Sequence, residues 1–238
     1  MSLPWKRRTF LATLGSVVSI AILREGWQAF PGATLPKMVR LGPSVRIVGI
    51  GGAGCAVLDY LTLMGAEPAN FVALDSDLET LGRSLAPTTI QIGSTLLSGL
   101  GAGSRPGNGY RAVVESLVPV TKELEGADLV IVTCSLAGGI GGGGGPVVAY
   151  AARVVCGAEV KVVAAAPVIL EGRKSDRNAK RALRQLRWAG GLVSTVSFPE
   201  ALVPRYSYEV ACFERTAEMA DRILATRSMW LARYGGSA

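Results

Sequence analysis

The chain has 238 residues, enough for one sizeable core or two small ones. Apolar residues make up 49% and charged residues 18%, which excludes disorder over most of the length. No histidine is present, which excludes nucleophile systems that need a histidine base and zinc sites of the H-E-x-x-H type. The net charge of +7 favours an anionic partner such as phosphate, a nucleic acid or a membrane surface.

The first forty residues form a leader with a basic start and an apolar middle. Lys6, Arg7 and Arg8 precede the apolar residues 10–23, a stretch too short to cross a bilayer as a helix. Arg7-Arg8 with the following Thr-Phe-Leu resembles a twin-arginine export signal. The stretch can equally form an amphipathic helix that anchors at a membrane interface. Export, interfacial attachment and a leader with neither role therefore stay open for residues 1–40.

From residue 45 onward, short β-branched runs alternate with longer helical patterns. Strands are predicted at 45–50, 71–74, 89–92, 129–133, 160–165 and 191–196. Helices are predicted at 54–64, 109–125, from Pro146 onward, at 174–188 and at 209–234. Strands that alternate with helices indicate crossover connections. We therefore predict an α/β, Rossmann-like fold with a mainly parallel sheet and helices on both faces.

The four cysteines show no ligand spacing. They stand at positions 55, 134, 156 and 212, without a C-x-x-C pair. We predict small buried hydrophobic side chains rather than a disulfide or metal set.

Three glycine-rich segments each follow a predicted strand. They are 49–54, 99–103 and 138–145. Glycine lets the backbone approach a phosphate closely, and a following helix N-terminus offers unpaired N–H groups. Because parallel strands end at one edge of a sheet, we expect the three segments to meet around one ligand. Three such loops favour a nucleoside triphosphate.

A dinucleotide is the alternative ligand. The first segment, Gly49-Ile50-Gly51-Gly52-Ala53-Gly54, satisfies G-x-G-x-x-G. Asp75 ends the second strand about twenty residues further on, as a dinucleotide site requires. An NAD-binding Rossmann enzyme would use this segment and Asp75, but it leaves the other two glycine segments unexplained.

Several segments resemble, in the same order, the FtsZ/tubulin GTPases, on the bacterial FtsZ side. The most specific is Ile90-Gln91-Ile92-Gly93 followed by Gly99-Leu100-Gly101-Ala102-Gly103-x-x-Pro106, which is similar to the family loop over the γ-phosphate. Segments 45–61, 71–77 and 126–133 resemble other parts of the family's nucleotide site. The resemblance implies a GTP-binding domain over 41–238 that ends in the family's long central helix. It also implies GTP or GDP with Mg²⁺, and a cytoplasmic role in cell division or cytoskeletal filament assembly.

The resemblance further implies which residues bind the nucleotide. Backbone amides of the glycine segments would hold the phosphates, Glu171 the ribose, Phe213 the guanine ring and Glu218 the guanine edge. The predicted nucleotide-binding set is Gly51, Gly52, Ala53, Gly54, Asp75, Gly101, Ala102, Gly103, Gly138, Gly139, Ile140, Gly141, Gly142, Gly143, Glu171, Phe213 and Glu218. No catalytic residue and no protein metal ligand is predicted.

The chain also departs from the family pattern. The signature G-G-G-T-G-T-G aligns with 137–143, where Ile140 and Gly142 replace both threonines. No acidic loop follows the final helix, so the family's C-terminal domain is expected to be absent. Hydrolysis would then need a full-length FtsZ-type subunit as partner. A non-hydrolysing regulator or cap of FtsZ filaments is the second hypothesis.

A basic run lies in the predicted helix at 174–188. Its cations are Arg173, Lys174, Arg177, Lys180, Arg181, Arg184 and Arg187. A solvated face is the simplest interpretation, and an acidic partner or an anionic membrane is the alternative. A nucleic-acid surface is disfavoured because no aromatic interleaving or known binding module accompanies the run. Trp188 and Trp230 are expected to fill a core or an interface.

Overall fold

A six-stranded parallel sheet forms the centre of the protein. The computed structural model describes residues 43–197 and 208–234, which belong to the compact unit Gly42–Ala238. The predictions for the leader lie outside the described residues. The strands are β1 (Val45–Ile50), β2 (Phe71–Asp75), β3 (Thr88–Gln91), β4 (Leu129–Ser135), β5 (Glu159–Ala165) and β6 (Leu192–Val196). Their order is β3-β2-β1-β4-β5-β6, and every neighbouring pair is parallel.

Helices connect the strands and continue beyond the last one. They are α1 (Gly51–Leu63), α2 (Leu78–Arg83), α3 (Ser94–Leu97), α4 (Pro106–Glu115), α5 (Leu117–Leu124), α6 (Gly139–Val154), α7 (Gly172–Trp188) and α8 (Tyr208–Tyr234). Short 3₁₀ turns lie at Pro68–Asn70 and Ile169–Glu171. Within the described part of the chain, none of the helices combines the length and apolarity that a membrane span needs.

Successive side chains of the central strands point into two different apolar cores. On β1, Ile47 packs into the core that contains Leu58 of α1 and Ile223 of α8. Its neighbour Val48 packs into the opposite core, with residues of α4 to α7. Because both faces of the sheet are covered, its central strands are apolar almost throughout rather than alternating, whereas the edge strands β3 and β6 are partly polar and more exposed. The predicted α/β fold with helices on both faces is confirmed.

The glycine run is helical from Gly139 onward, which corrects the prediction of a loop at 138–145 followed by a helix from Pro146. Helix α6 already begins at Gly139. A Cβ atom added to Gly143 would stand 1.9 Å from the carbonyl oxygen of Pro106, and one added to Gly109 would stand 2.1 Å from that of Gly139. Helices α4 and α6 thus touch backbone to backbone. The close contact offsets the weak helix propensity of glycine, about 0.5–1 kcal/mol per residue relative to alanine.

The other differences from the predicted elements are local. Helix α1 begins at Gly51, directly after β1, rather than near residue 54. The predicted helix at 109–125 is two helices, α4 and α5, that meet at Ser116. Pro119 has no N–H group to bond the carbonyl of Glu115, which favours the break. The short helices α2 and α3 were not predicted, because each is too brief to show a helical period.

The cysteines behave as small apolar side chains. All four are free, and Cys55 and Cys134 are fully buried. Burial raises the pKa of both thiols to about 12. Neither thiol is therefore ionised near neutral pH, and the prediction of buried hydrophobic cysteines is confirmed for these two.

The glycine contact between α4 and α6 makes a testable prediction about stability. Gly143→Ala places a methyl group on the Pro106 carbonyl, and such overpacking is expected to lower the free energy of unfolding by about 1–3 kcal/mol. The matched control is Gly82→Ala in α2, where an added Cβ meets nothing within 4 Å. This control is expected to raise the free energy of unfolding by about 0.4–1 kcal/mol. Urea unfolding followed by circular dichroism measures both; equal effects of the two variants would contradict the contact.

Candidate functional site

A cleft of about 410 Å³ opens at the carboxyl edge of the sheet. It lies where β1 and β4 are neighbours but their connections leave in opposite directions, the position at which open α/β sheets bind ligands. Its walls come from the β1–α1 junction, the end of β2, the segment before α4, the β4–α6 junction, the start of α7 and the start of α8.

The cleft brings together residues from all three glycine segments. The predicted site residues that line it are Gly51, Gly52, Ala53, Asp75, Gly101, Ala102, Gly138, Gly139, Ile140, Gly141 and Glu171. They come from parts of the sequence as far apart as residues 51 and 171. The parallel strands assemble them, because each segment follows the carboxyl end of its strand.

The other predicted glycines lie outside this lining. Gly54 is buried against β4, where an added Cβ would stand 2.5 Å from the carbonyl oxygen of Thr133. Gly142 and Gly143 pack in the same way against Leu136 and Pro106. Gly103 has open space around it and a φ of +60°. For Gly54, Gly142 and Gly143 the structure supplies a packing reason for glycine, and their contact with phosphate stays a prediction.

The two predicted base contacts also lie outside the lining. Phe213 is 57% exposed and rests edge-on against Tyr60, with the ring centroids 5.8 Å apart. The carboxylate of Glu218 pairs with Arg222 on the same helix at 2.5 Å. Tyr208, the first residue of α8, lines the cleft instead. Sequence reasoning missed Tyr208, although an aromatic residue at the start of the final helix was visible.

Two helices begin at the cleft without a side-chain cap. Helix α1 follows Ile50 and helix α6 follows Gly138, and neither of these residues caps its helix through a side chain. The first N–H groups of a helix have no partner within the helix, and the helix dipole places positive potential there. Gly51, with a φ of +75°, makes the sharp turn from β1 into α1. Two such helix ends at one cleft offer main-chain N–H donors and positive potential, which favours an anionic ligand.

Asp75 is the most buried carboxylate in the cleft. It is 4% exposed, and its Oδ1 accepts hydrogen bonds from the N–H groups of Ser76 at 2.7 Å and Asp77 at 3.2 Å. Burial raises the pKa of Asp75, and the two N–H donors oppose that rise. The carboxylate is thus held in one orientation at the end of β2.

Glu171 is held by a second, separate set of contacts. Its Oε1 accepts from the N–H of Val168 at 3.0 Å and lies 3.2 Å from Nη1 of Arg215. Arg215 is 8% exposed, so the ion pair is shielded from water. Glu171 therefore lines the cleft in a fixed position.

The described lining contains carboxylates but neither lysine nor arginine. Asp75, Asp77 and Glu171 are its charged members, and no described group of His, Cys, Asp or Glu side chains is arranged to hold a metal ion. Burial raises the pKa of the Tyr208 hydroxyl, also in the lining, to about 12, and a hydrogen bond to Cys212 acts in the same direction. The Tyr208 side chain is therefore uncharged at neutral pH. Anions entering the cleft would meet helix ends rather than cationic side chains.

Comparison with known proteins identifies the family. A sequence profile described as Tubulin/FtsZ family, GTPase domain, matches residues 44–197. The chain belongs to this family. The resemblance in the glycine segments and the fold predicted from it are confirmed.

Individual relatives agree with the assignment. Cell division protein FtsZ 1 of Pyrococcus horikoshii is 35% identical over 193 residues, which is 80% of this chain and 50% of that protein. An empty FtsZ dimer from M. jannaschii matches with a TM-score of 0.71 and 29% identity, over 87% of this chain and 57% of that one. CetZ2 of Haloferax volcanii, solved as a GTPγS-bound protofilament, matches with a TM-score of 0.67 and 25% identity. The match covers 76% of this chain and 57% of CetZ2.

The chain spans about half the length of the curated FtsZ proteins that it matches. The relatives include archaeal proteins, so the expectation of a bacterial FtsZ stays a prediction.

The burial of Asp75 predicts a pH-dependent effect on stability. An Asp carboxyl ordinarily ionises near 3.8, and the folded state of this protein raises that value. Ionisation therefore costs stability as the pH rises from about 3.8 through the raised folded pKa, and the loss persists at higher pH. Asp75→Asn keeps an oxygen acceptor but cannot ionise. We expect the variant to be more stable relative to the parent at about pH 7.5 than at about pH 3.5.

Urea denaturation of both proteins at the two pH values measures this difference. The control is Asp221→Asn, which changes an exposed carboxylate on α8. A relative stability of Asp75→Asn that does not change with pH would show that Asp75 is not an ionisable buried group.

Proposed function

We propose that the cleft binds GTP or GDP with Mg²⁺. The observation that carries this proposal is the convergence of the uncapped N-termini of α1 and α6 with the segment around Gly101 and Ala102 on one cleft. Main-chain N–H groups of Gly51–Ala53 and Gly139–Gly141 would bind the phosphate oxygens. Membership of a GTPase family and the GTPγS-bound CetZ2 relative support the choice of nucleotide.

Mg²⁺ would enter the cleft together with the nucleotide. The described lining adds the negative charges of Asp75, Asp77 and Glu171 to those of the phosphates and offers no cationic side chain. A hard divalent cation bound to phosphate oxygens and waters would neutralise part of this charge. Asp75 and Asp77 line the cleft, and their carboxylates would accept hydrogen bonds from such waters.

Glu171 and Tyr208 are the residues best placed for the nucleoside. Glu171 lines the cleft in a fixed position, which supports its predicted contact with the ribose. We place Tyr208, rather than Phe213, against the base, because Tyr208 lines the cleft and presents a neutral aromatic ring. Phe213 contacts Tyr60 and Glu218 pairs with Arg222, and neither residue is part of the cleft lining.

We further propose that the protein acts in the cytoplasm with FtsZ-type subunits, in filament assembly linked to cell division. The names of the relatives, a cell division protein and a protofilament, support this role. Ile140 lines the cleft where the family signature has a threonine hydroxyl, which weakens the case for efficient hydrolysis and favours a regulator or cap as the alternative. Sedimentation with full-length FtsZ distinguishes them: co-assembly with GTP supports a filament subunit, and reduced FtsZ polymer supports a cap.

A carboxylate placed in the first turn of α1 tests the phosphate site without weakening the fold. Gly52 is exposed, and an added Cβ meets nothing within 4 Å. Gly52→Asp is expected to stabilise α1 through the helix dipole but to repel phosphate, lowering GTP affinity about tenfold or more. Gly52→Asn, the uncharged control of the same shape, is expected to retain most of the affinity. Fluorescent GTP titration with Mg²⁺ measures binding, and thermal melting reports the fold.

Thermal melting of the parent protein with each ligand distinguishes a guanine nucleotide from NAD. Stabilisation of the parent by GTP and GDP but not by NAD is the expected result. Selective stabilisation by NAD would overturn the proposal. Equal GTP affinity of Gly52→Asp and Gly52→Asn would do the same.

Substitution of the two aromatic residues tests which one contacts the base. Tyr208→Ala is expected to weaken guanine-nucleotide binding by about 1 kcal/mol or more, because a stacking face is lost. Phe213→Ala is expected to change affinity little, since Phe213 contacts Tyr60 outside the cleft lining. A larger loss in Phe213→Ala would restore the original prediction and exclude Tyr208.

A further inference from the structure

A second groove, lined by aromatic side chains, lies between α4, α6 and α7 and shares no lining residue with the nucleotide cleft. Its volume is about 330 Å³, and we call it the aromatic groove. It is lined by Tyr110, Gly143, Pro146, Val147, Tyr150, Gln185 and Trp188. A recess of about 270 Å³ continues it along α4 and brings in Arg181. Gly143 contributes main chain to the lining of both the groove and the recess.

The aromatic side chains of this groove are exposed, and two of them stack on each other. Trp188 is 77% exposed, Tyr110 53% and Tyr150 42%. Trp188 stacks on Tyr150, with ring centroids 5.6 Å apart and planes inclined by 13°. A grouped set of exposed aromatic rings marks an interaction surface rather than chance exposure, and Trp and Tyr are enriched among residues that dominate binding energy.

A row of cations borders the groove on α7. Arg177, Arg181 and Arg184 lie at helical spacing from Trp188 and share its stripe, opposite the buried Ala182 and Leu186. All seven cations of this helix are exposed. Within the described chain, Lys180 is the member of this set with an ionic partner, Asp176 at 2.8 Å. The other cations are therefore available for an external acidic group.

The charge and shape of the surface favour one kind of partner. A second copy of this chain would bring a net charge of +7 and the same basic helix, and the leader at 1–40 is also basic, so both would be repelled. A membrane presents a flat surface that does not enter a recess, and the aromatic rings here are not interleaved with the cations as in a nucleic-acid surface. A polypeptide with acidic residues and a bulky apolar side chain satisfies both features.

We propose that the aromatic groove binds an acidic segment of another protein. One bulky apolar side chain of that segment fills the groove beside Tyr110 and Trp188. Its Asp or Glu residues lie along Arg177, Arg181 and Arg184. The proposal does not depend on the nucleotide cleft, because the two surfaces have no residue in common.

Binding of designed peptides to the full chain tests this proposal. The probe is a fluorescein-labelled glutamate-rich peptide with one central phenylalanine, measured by fluorescence anisotropy. Two comparison peptides carry serine in place of phenylalanine or lysine in place of glutamate. We expect binding of the first peptide, affinity about tenfold or more lower for the serine peptide, none for the lysine peptide, and weakening by salt.

Variants of the chain locate the binding surface. Trp188→Ala and Arg181→Glu are each expected to lower peptide affinity about tenfold or more. The controls are Met229→Ala, which changes another exposed apolar residue, on α8, and Arg83→Glu on α2, and both variants should bind as the parent does. Circular dichroism verifies folding. If Trp188→Ala does not fold, Trp188→Phe replaces it, and if Arg181→Glu does not fold, Arg184→Glu replaces it.

Three results would overturn the proposal. The first is equal affinity for the phenylalanine and serine peptides, which would reduce the surface to non-specific charge. The second is tighter binding to a single-stranded oligonucleotide or to anionic phosphatidylserine vesicles than to the peptide, if Trp188→Ala and Arg181→Glu weaken that binding too. The third is absence of peptide binding by the folded parent.

Discussion

The glycine-rich start of helix α6 allows main chain to contact main chain on several sides at once. Gly141 faces the carbonyl oxygen of Ser135 and the backbone of β1, and Gly143 faces the carbonyl of Pro106. A side chain at either position would push α6 away from β4 and α4. Because the start of α6 forms one wall of the cleft, the same contact sets where its N-terminal N–H groups lie. The packing of these glycines and the geometry of the proposed phosphate site are therefore one constraint.

This constraint also shapes the opposite side of α6. Gly143 contacts the Pro106 carbonyl of α4 and also lines both the aromatic groove and its recess, so the distance between α4 and α6 sets the floor of the groove. The cleft at the start of α6 and the groove beside its middle turns depend on the same helix pair. A change that separates α4 from α6 would alter both surfaces.

The charges of the protein are divided between these surfaces in an unexpected way. The net charge of +7 suggested an anionic ligand, but the described cleft is lined by carboxylates and helix ends rather than by lysine or arginine. The cations are concentrated instead on the outer face of α7, next to an exposed tryptophan. The net charge of +7 is therefore a poor guide to the ligand of the cleft, because residues 1–40 contribute +5 of it (six Lys and Arg against one Glu) and the charged residues of the described cleft lining are carboxylates.

The sequence by itself determined the parallel α/β fold, the family and most of the cleft lining. Each glycine segment directly follows an apolar strand, and parallel strands carry such segments to one edge regardless of their distance along the chain. Asp75 and Glu171 reach the cleft for the same reason. Local pattern was sufficient here because strand ends and loop composition are local properties.

Only the tertiary structure decided three other features. The run 138–145 has the composition of a loop, but it is helical from Gly139 onward, where Gly141 and Gly143 pack against the backbone of β4 and α4 at distances that no side chain permits. Tyr208 rather than Phe213 faces the cleft, because the rotation of α8 about its axis is set by packing Met219 and Ile223 against the sheet. Trp188 and Tyr150 stack only because α6 and α7 lie side by side. Each depends on contacts between distant residues, which composition and spacing along one chain do not encode.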